Sequence, residues 1–190
     1  MSKQNINTRN IVLVLMILAA IAFRFLSFEY KALSNFTPVG AIAIFGGAYF
    51  ADKWKAYVIV LLALFISDIG INYLYTSKWV FWYGGSAWVY LIFAIMVFIG
   101  TLIKKVNVAN VALASLASVC VHWLIIDLPW LYGTYYAHTL AGYGQSLVAA
   151  IPFEKNMVLG DAVFGAILFG GFEIIQSKYT LLRSKKQLAV

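Results

Sequence analysis

A single cysteine, Cys120, in 190 residues excludes an internal disulfide and any cysteine-rich metal site. Acidic residues are also scarce, seven against fourteen Lys and Arg, and charged residues make up only 11% of the chain. A soluble domain carries about 25%, so an ordinary soluble fold is excluded. Histidine occurs twice, at His122 and His138, which leaves no His-Glu-x-x-His metal helix. There is no Gly-x-Ser-x-Gly elbow and no Walker loop either. These absences predict a protein that is not an enzyme. The one arrangement left for a membrane enzyme is Ser118, His122 and Asp127, with Ser118 and His122 four apart on one helix face. The basic residues form no stacked basic face, so no nucleic-acid partner is expected.

What the chain has instead is apolar residue, 63% of the total. Six apolar segments are predicted at 11–28, 38–51, 56–75, 83–103, 108–132 and 157–176. They form one integral membrane domain over 1–190, an all-α polytopic bundle whose lipid partner is the bilayer. Lys3 and Arg9 precede the first segment and no clean cleavage site follows it, so it is expected to be retained. With an inner N-terminus, ten basic residues fall inside (Lys3, Arg9, Lys53, Lys55, Lys104, Lys105, Lys178, Arg183, Lys185, Lys186). Lys31, Lys78 and Lys155 fall outside, and Arg24 lies within the first segment. That bias predicts two cytoplasmic termini and an even number of spans. Trp79, Trp82, Tyr83, Trp130, Tyr132, Tyr135 and Tyr136 then gather at the outer boundary, as an aromatic belt or as a stacking surface for a ring-bearing ligand.

The second segment departs from the others. Asn35-Phe-Thr-Pro-Val-Gly-Ala-Ile-Ala-Ile-Phe-Gly-Gly-Ala-Tyr-Phe50 is short for a span and broken by Pro38, Gly40, Gly46 and Gly47. Such segments survive at membrane depth only inside protein or along a cavity, and in transporters they often mark the binding site. Close helix packing through glycine is the alternative. Intramembrane acids also require explanation, because a bilayer penalises ionisable groups. Asp68 and Asn72 share a face of the third helix. Asp127 lies five residues from His122, flanked by Trp123 and Trp130, with Pro129 ending the helix. Asp161 is expected near the start of the sixth helix, where the dipole favours a carboxylate. Two readings stand: the acids converge on an outward-facing cavity, or they cap helices and pair, for instance with Arg24. Glu173 reads as an interfacial charge beside Lys178. His122 and Cys120 point about 200° apart and cannot chelate one metal together, so no metal site is assigned.

The 35–50 string, with Ile66-Ser-Asp68, Ala150-Ile-Pro-Phe153 and Asn156-Met-Val-Leu-Gly-Asp161, resembles the signature of a small family of bacterial inner-membrane proteins. That family resembles the S components of energy-coupling-factor vitamin transporters, including solitary cobalamin transporters. The resemblance implies a six-helix S-component-like bundle that binds a vitamin-like solute from outside, in a cavity roofed by outer loops, with an energising transmembrane and ATPase module as partner. The outer aromatic cluster, Asp127 and Asp161 fall where such a cavity would lie; the expected substrate contacts are Trp123, Trp130 and Tyr135, stacking on the solute, Asp68, Asn72 and Asp127, orienting it, and Asn35 and Asp161. The Gly133–Asn156 stretch would be a lid flexing at Gly133, Gly142 and Gly144. A corrinoid is one candidate ligand, with His122 or Cys120 reaching its cobalt; no resident cofactor is expected. Two departures are visible: the lone cysteine does not match the cobalt-ligating position, and the first segment lacks a clean Ala-x-x-x-Ala docking face. A reading of another class is a structural or assembly subunit of an envelope complex.

Overall fold

The computed structural model describes residues 8–30, 33–131 and 135–183, without the side chains of Leu26, Ser27 and Glu29. Lys3, Lys31, Tyr132, Gly133, Lys185 and Lys186, used in the topology and lid readings, lie outside the described residues. Every regular element is helical, and no strand occurs among the described residues. The order is α1 (Thr8–Glu29), α2 (Val39–Tyr49), α3 (Lys53–Thr76), α4 (Ser86–Thr101), α5 (Val108–Ile126) and α6 (Leu140–Gly165). From α6 the chain runs through a π-helical turn (Ala166–Gly170) into α7 (Gly171–Lys178) and ends in a 3-10 turn (Thr180–Leu182).

Local chemistry sets these boundaries. Pro38 precedes the first residue of α2 at φ −79°, a dihedral its ring enforces, at a position where a missing N–H costs nothing. Asn107 caps α5 by accepting from the Asn110 N–H at 2.8 Å, and Thr139 caps α6 by accepting from the Gly142 N–H at 3.1 Å. α3 ends at Ser77, in the left-handed region at φ 54°. α5 ends at Ile126, three residues before Pro129, which cannot continue a helix.

Four stretches are long and apolar enough to cross a membrane: Thr8–Phe25, Lys53–Thr76, Val108–Ile126 and the continuous rod Leu140–Lys178. α2 and α4, at 11 and 16 residues, fall short of the roughly 20 that a bilayer core needs. The six expected segments therefore exist as helices, but only four have spanning length.

α2 is the centre of the bundle. Ten of its eleven residues are buried, and it touches α1, α3, α4, α5 and α6. Lipid gives helices little hydrophobic reason to associate, so close backbone approach matters. A Cβ on Gly47 would lie 2.2 Å from the Val97 carbonyl, and one on Gly100 would lie 2.4 Å from the Ile44 carbonyl. The α2–α4 contact exists because both residues are glycine.

Two expectations are corrected here. From Leu140 onward the Gly133–Asn156 stretch is helix α6, so Gly142 and Gly144 are helical positions rather than the hinges of a loop lid. Asp161 is consequently 21 residues into its helix rather than at its start.

The lysine-rich connections collect at one end. Arg9 donates from Nη2 to the Tyr49 carbonyl at 3.1 Å and from Nη1 to the Leu182 carbonyl. Its guanidinium lies 5.1 Å from the centre of the Phe172 ring. Tyr49 donates its hydroxyl to Glu173, which also accepts from Gln176 at 2.5 Å. Lys53 Nζ reaches the Gly47 carbonyl at 2.8 Å. The start of α1, the end of α2, the start of α3 and α7 are thereby tied into one polar knot. Glu173, read as an interfacial charge, belongs to it.

Candidate functional site

The predicted polar residues separate into two groups. The first lies among α1, α3 and α4. Arg24 pairs with Asp68 Oδ1 at 2.6 Å and also donates to Ser67 Oγ. Tyr90 donates its hydroxyl to Asp68 Oδ2 at 2.9 Å. Burial and the neighbouring Asp68 charge push the Tyr83 phenol in the adjoining loop up. Asn72 does not join Asp68; it turns one helical turn onward to donate to the Val80 carbonyl at 3.2 Å. Asp68 therefore takes the ion-pairing reading, and it is held apart from Asp127 and Asp161.

The second group runs along the seam between α5 and α6. His122 Nδ1 meets Glu154 Oε1 at 2.9 Å. Ser115 donates to Asp161 Oδ2 at 3.1 Å. Trp123 Nε1 donates to the Leu147 carbonyl at 3.0 Å, so its polar edge is already occupied by the protein. Asp127, the residue that closes α5, sits at the end of this seam. Burial, then the nearby Glu154 carboxylate, pushes its carboxyl up to about 6, against the opposing effect of His122. Ser118 is fully buried between the two pairs but makes no hydrogen bond to His122 or any other group. Cys120 lies exposed on the other side of α5.

Asp161 is the junction of the seam with α2. A Cβ on Gly40 would lie 2.4 Å from Asp161 Oδ1, so only glycine admits the carboxylate against the first turn of α2. The Ala41 N–H faces this carboxylate. The expected dipole of Asp161's own helix start is absent; the carboxylate instead faces the first turn of α2. One residue earlier, Gly160 lets the chain pass at Thr37, whose carbonyl would lie 2.8 Å from an added Cβ.

From Asp161 a cavity of about 590 Å³ extends between α5 and α6 toward the lysine-rich end. Val111, Ser115, Phe169, Asn107 and Glu173 are among its walls, and the π-helical turn supplies Ala166 and Gly170. π-turns are often found at functional sites. The expected cavity lay among α2, α3, α5 and α6 under an outer lid; this one lies between α5 and α6 toward the lysine-rich end, and of the predicted contacts its walls include Asp161 alone.

The remaining predicted residues lie elsewhere. Trp130 is exposed, with its ring 6.2 Å from that of His138 and 6.3 Å from that of Tyr143. Tyr135 is 92% exposed, with its ring 5.6 Å from that of Tyr136. Asn35 holds a left-handed turn at φ 64°, where its carbonyl accepts from the Thr37 N–H at 2.9 Å. Sequence reasoning missed Ser115 and Glu154. Glu154-Lys155-Asn156 reads as a hydrophilic break, yet Glu154 is 6% exposed. The apolar run Leu147–Phe153 before it was the available signal.

The fold and this buried seam define a helical protein with four potential membrane-crossing helices and an interior row of ionisable side chains. The family model described as a family of unknown function, DUF6580, matches residues 4–186, and the chain belongs to that family. No curated protein and no solved structure matches the chain.

Proposed function

We propose that the protein binds a small, vitamin-like solute within the bacterial inner membrane and carries it inward, as an S-component-like bundle of six helices with both termini cytoplasmic. The observation that carries this reading is the placement of α2. This short, buried helix begins beside Asp161, at the head of the cavity. Transporters place the ends of discontinuous helices at their binding sites in this way. A volume of about 590 Å³ falls in the range of roughly 300–1,000 Å³ typical of small-molecule sites, and it favours a compact ring-bearing solute over a corrinoid. Asp161 would accept a hydrogen bond from the solute, and the apolar walls would hold its ring. Trp123, Asp127, Trp130 and Tyr135 lie toward the other end of α5, where a solute arriving from outside would first meet the protein. In the conformation described the cavity reaches the lysine-rich end, which suits an inward-facing state. Movement would draw on an energising partner module or on rocking of the bundle.

Ala166→Phe places a large ring in the cavity from the π-turn. We expect wild-type protein in mild detergent to gain thermal stability with one member of a panel of water-soluble vitamins. Ala166→Phe should keep its fold and lose that gain. Equal stabilisation of both would sink the cavity assignment.

The glycine contact between α2 and α4 favours a second reading, an assembly subunit of an envelope complex whose glycines serve packing. That reading predicts stable co-purification with a protein partner and no small molecule.

A further inference from the structure

Two contacts set the register of the seam: Ser115 with Asp161, and His122 with Glu154. Seven residues separate the members on each helix, so roughly 10 Å of antiparallel seam lies between the pairs. Ser118 falls within that interval, 0% exposed, and its Oγ has no partner. Glu154 Oε2 and Asp161 Oδ1, in residues 6% and 3% exposed, have none either. Asp127 Oδ2, at the end of α5, is the fourth such atom. Among the described residues, only Arg9 Nε at the opposite end of the bundle shares this condition. An unsatisfied buried polar group costs about 1–3 kcal/mol, so four along one seam point to hydrogens or a ligand they are built to hold.

Charge leads to the same conclusion. Asp127, Glu154 and Asp161 set three carboxylates against one imidazole, His122. Among the described residues, no Lys or Arg forms an ion pair with them. α4 presents the Phe93 ring to His122, at 6.4 Å, and α2 has no titratable side chain except Tyr49, at its far end. On α6, Tyr143 lies near Asp127, and Lys155 is exposed beside the buried Glu154. Ionised carboxylates in excess are costly at membrane depth, and chains of Asp, Glu and His there commonly carry protons. Among the described residues, no three His, Cys, Asp or Glu side chains are grouped to hold a metal ion.

We propose that the α5–α6 seam binds an exchangeable proton that drives solute movement, taken up at Asp127, shared by His122 and Glu154, and passed beside Ser118 to Asp161. The proton enters from water at Asp127, crosses the roughly 10 Å between the two pairs on water admitted beside Ser118, and leaves Asp161 into the cavity, so each group returns to its starting charge. Its arrival at Asp161 would loosen the hold of α2 on the carboxylate and free the head of the cavity. The coupling role rests on the transport reading; the proton site can be tested without a solute.

Infrared spectroscopy of the protein in lipid vesicles reads protonated carboxyls directly. The expected result is a protonated-carboxyl band at neutral pH that shifts in heavy water, fades as pH rises and weakens in both Glu154→Gln and Asp161→Asn. No such band in the wild type, or an undiminished band in both variants, overturns the proposal. Replacing choline by sodium at fixed pH should leave the band in place; its loss would mean a metal cation occupies the seam and would also overturn the proposal. Should those variants fail to fold, Ser118→Ala should still shift the band by removing the neighbouring hydroxyl, and an unmoved band counts against the proposal. A search that finds no solute would leave the band intact, which separates failure of the transport reading from failure of this one.

Discussion

Arg24 and Asp68 show how a charge survives inside an apolar bundle. The guanidinium satisfies one carboxylate oxygen and the Tyr90 hydroxyl satisfies the other. Removing one partner of such a pair leaves the other stranded. We expect Arg24→Ala to cost about 3 kcal/mol, read as a lower midpoint in thermal unfolding, with much of the loss recovered in the double variant Arg24→Ala, Asp68→Ala. An Arg24→Ala protein as stable as wild type would show that the pair contributes nothing. Asp127 makes a pH prediction of definite sign. Its carboxyl is raised from 3.8 to about 6 in the fold, so the native state holds a proton that the unfolded chain has released across that window. This group therefore destabilises the fold progressively as pH rises through the window. Asp127→Asn should gain stability relative to wild type between those values and hold the gain above them. A difference that stays flat with pH would contradict the burial of Asp127. The sequence identified Asp68, Asp127, Asp161 and His122 as unusual, because an ionisable group in an apolar run is visible in one dimension. It did not show which of them meet, because Asp68 and Asp161 are brought to their partners by helices far apart in the chain.

The elements behave as their lengths and glycines direct. α2 is short because Pro38 opens it and Phe50 leaves it in an extended conformation. It is central because its apolar residues cover its whole circumference and glycine lets α4 close on it. Gly47→Ala should lower the unfolding midpoint, at a cost of about 1–3 kcal/mol for overpacking. Gly144→Ala is the matched control: nothing lies within 4 Å of its added Cβ, and helix propensity favours alanine by about 1 kcal/mol. Equal effects at the two sites would refute the close α2–α4 approach. The break at Pro38 and the five clear apolar segments were legible in the sequence. The first half of α6 was not. Gly142, Gly144, Pro152 and Lys155 are all residues that loops favour, but a Thr139 cap and pairing of Glu154 with His122 outweigh local propensity there. The π-turn at Ala166–Gly170 carries no comparable signal.

At the scale of the molecule, the described lysine-rich connections meet at one end, and Arg9 ties three chain regions together there. A half-open cavity lies between α5 and α6 at that end, and a row of ionisable groups leads from it along α5. The proposed solute carriage would use both, and the assembly reading assigns them no role. The most direct test is to purify the protein in mild detergent and analyse the denatured extract by mass spectrometry, with and without added vitamins. The account predicts a small molecule at one per chain, retained by wild-type protein and lost in Asp161→Asn. Ligand-free protein that no vitamin stabilises, accompanied by a stoichiometric protein partner, would contradict it and leave the assembly reading in its place.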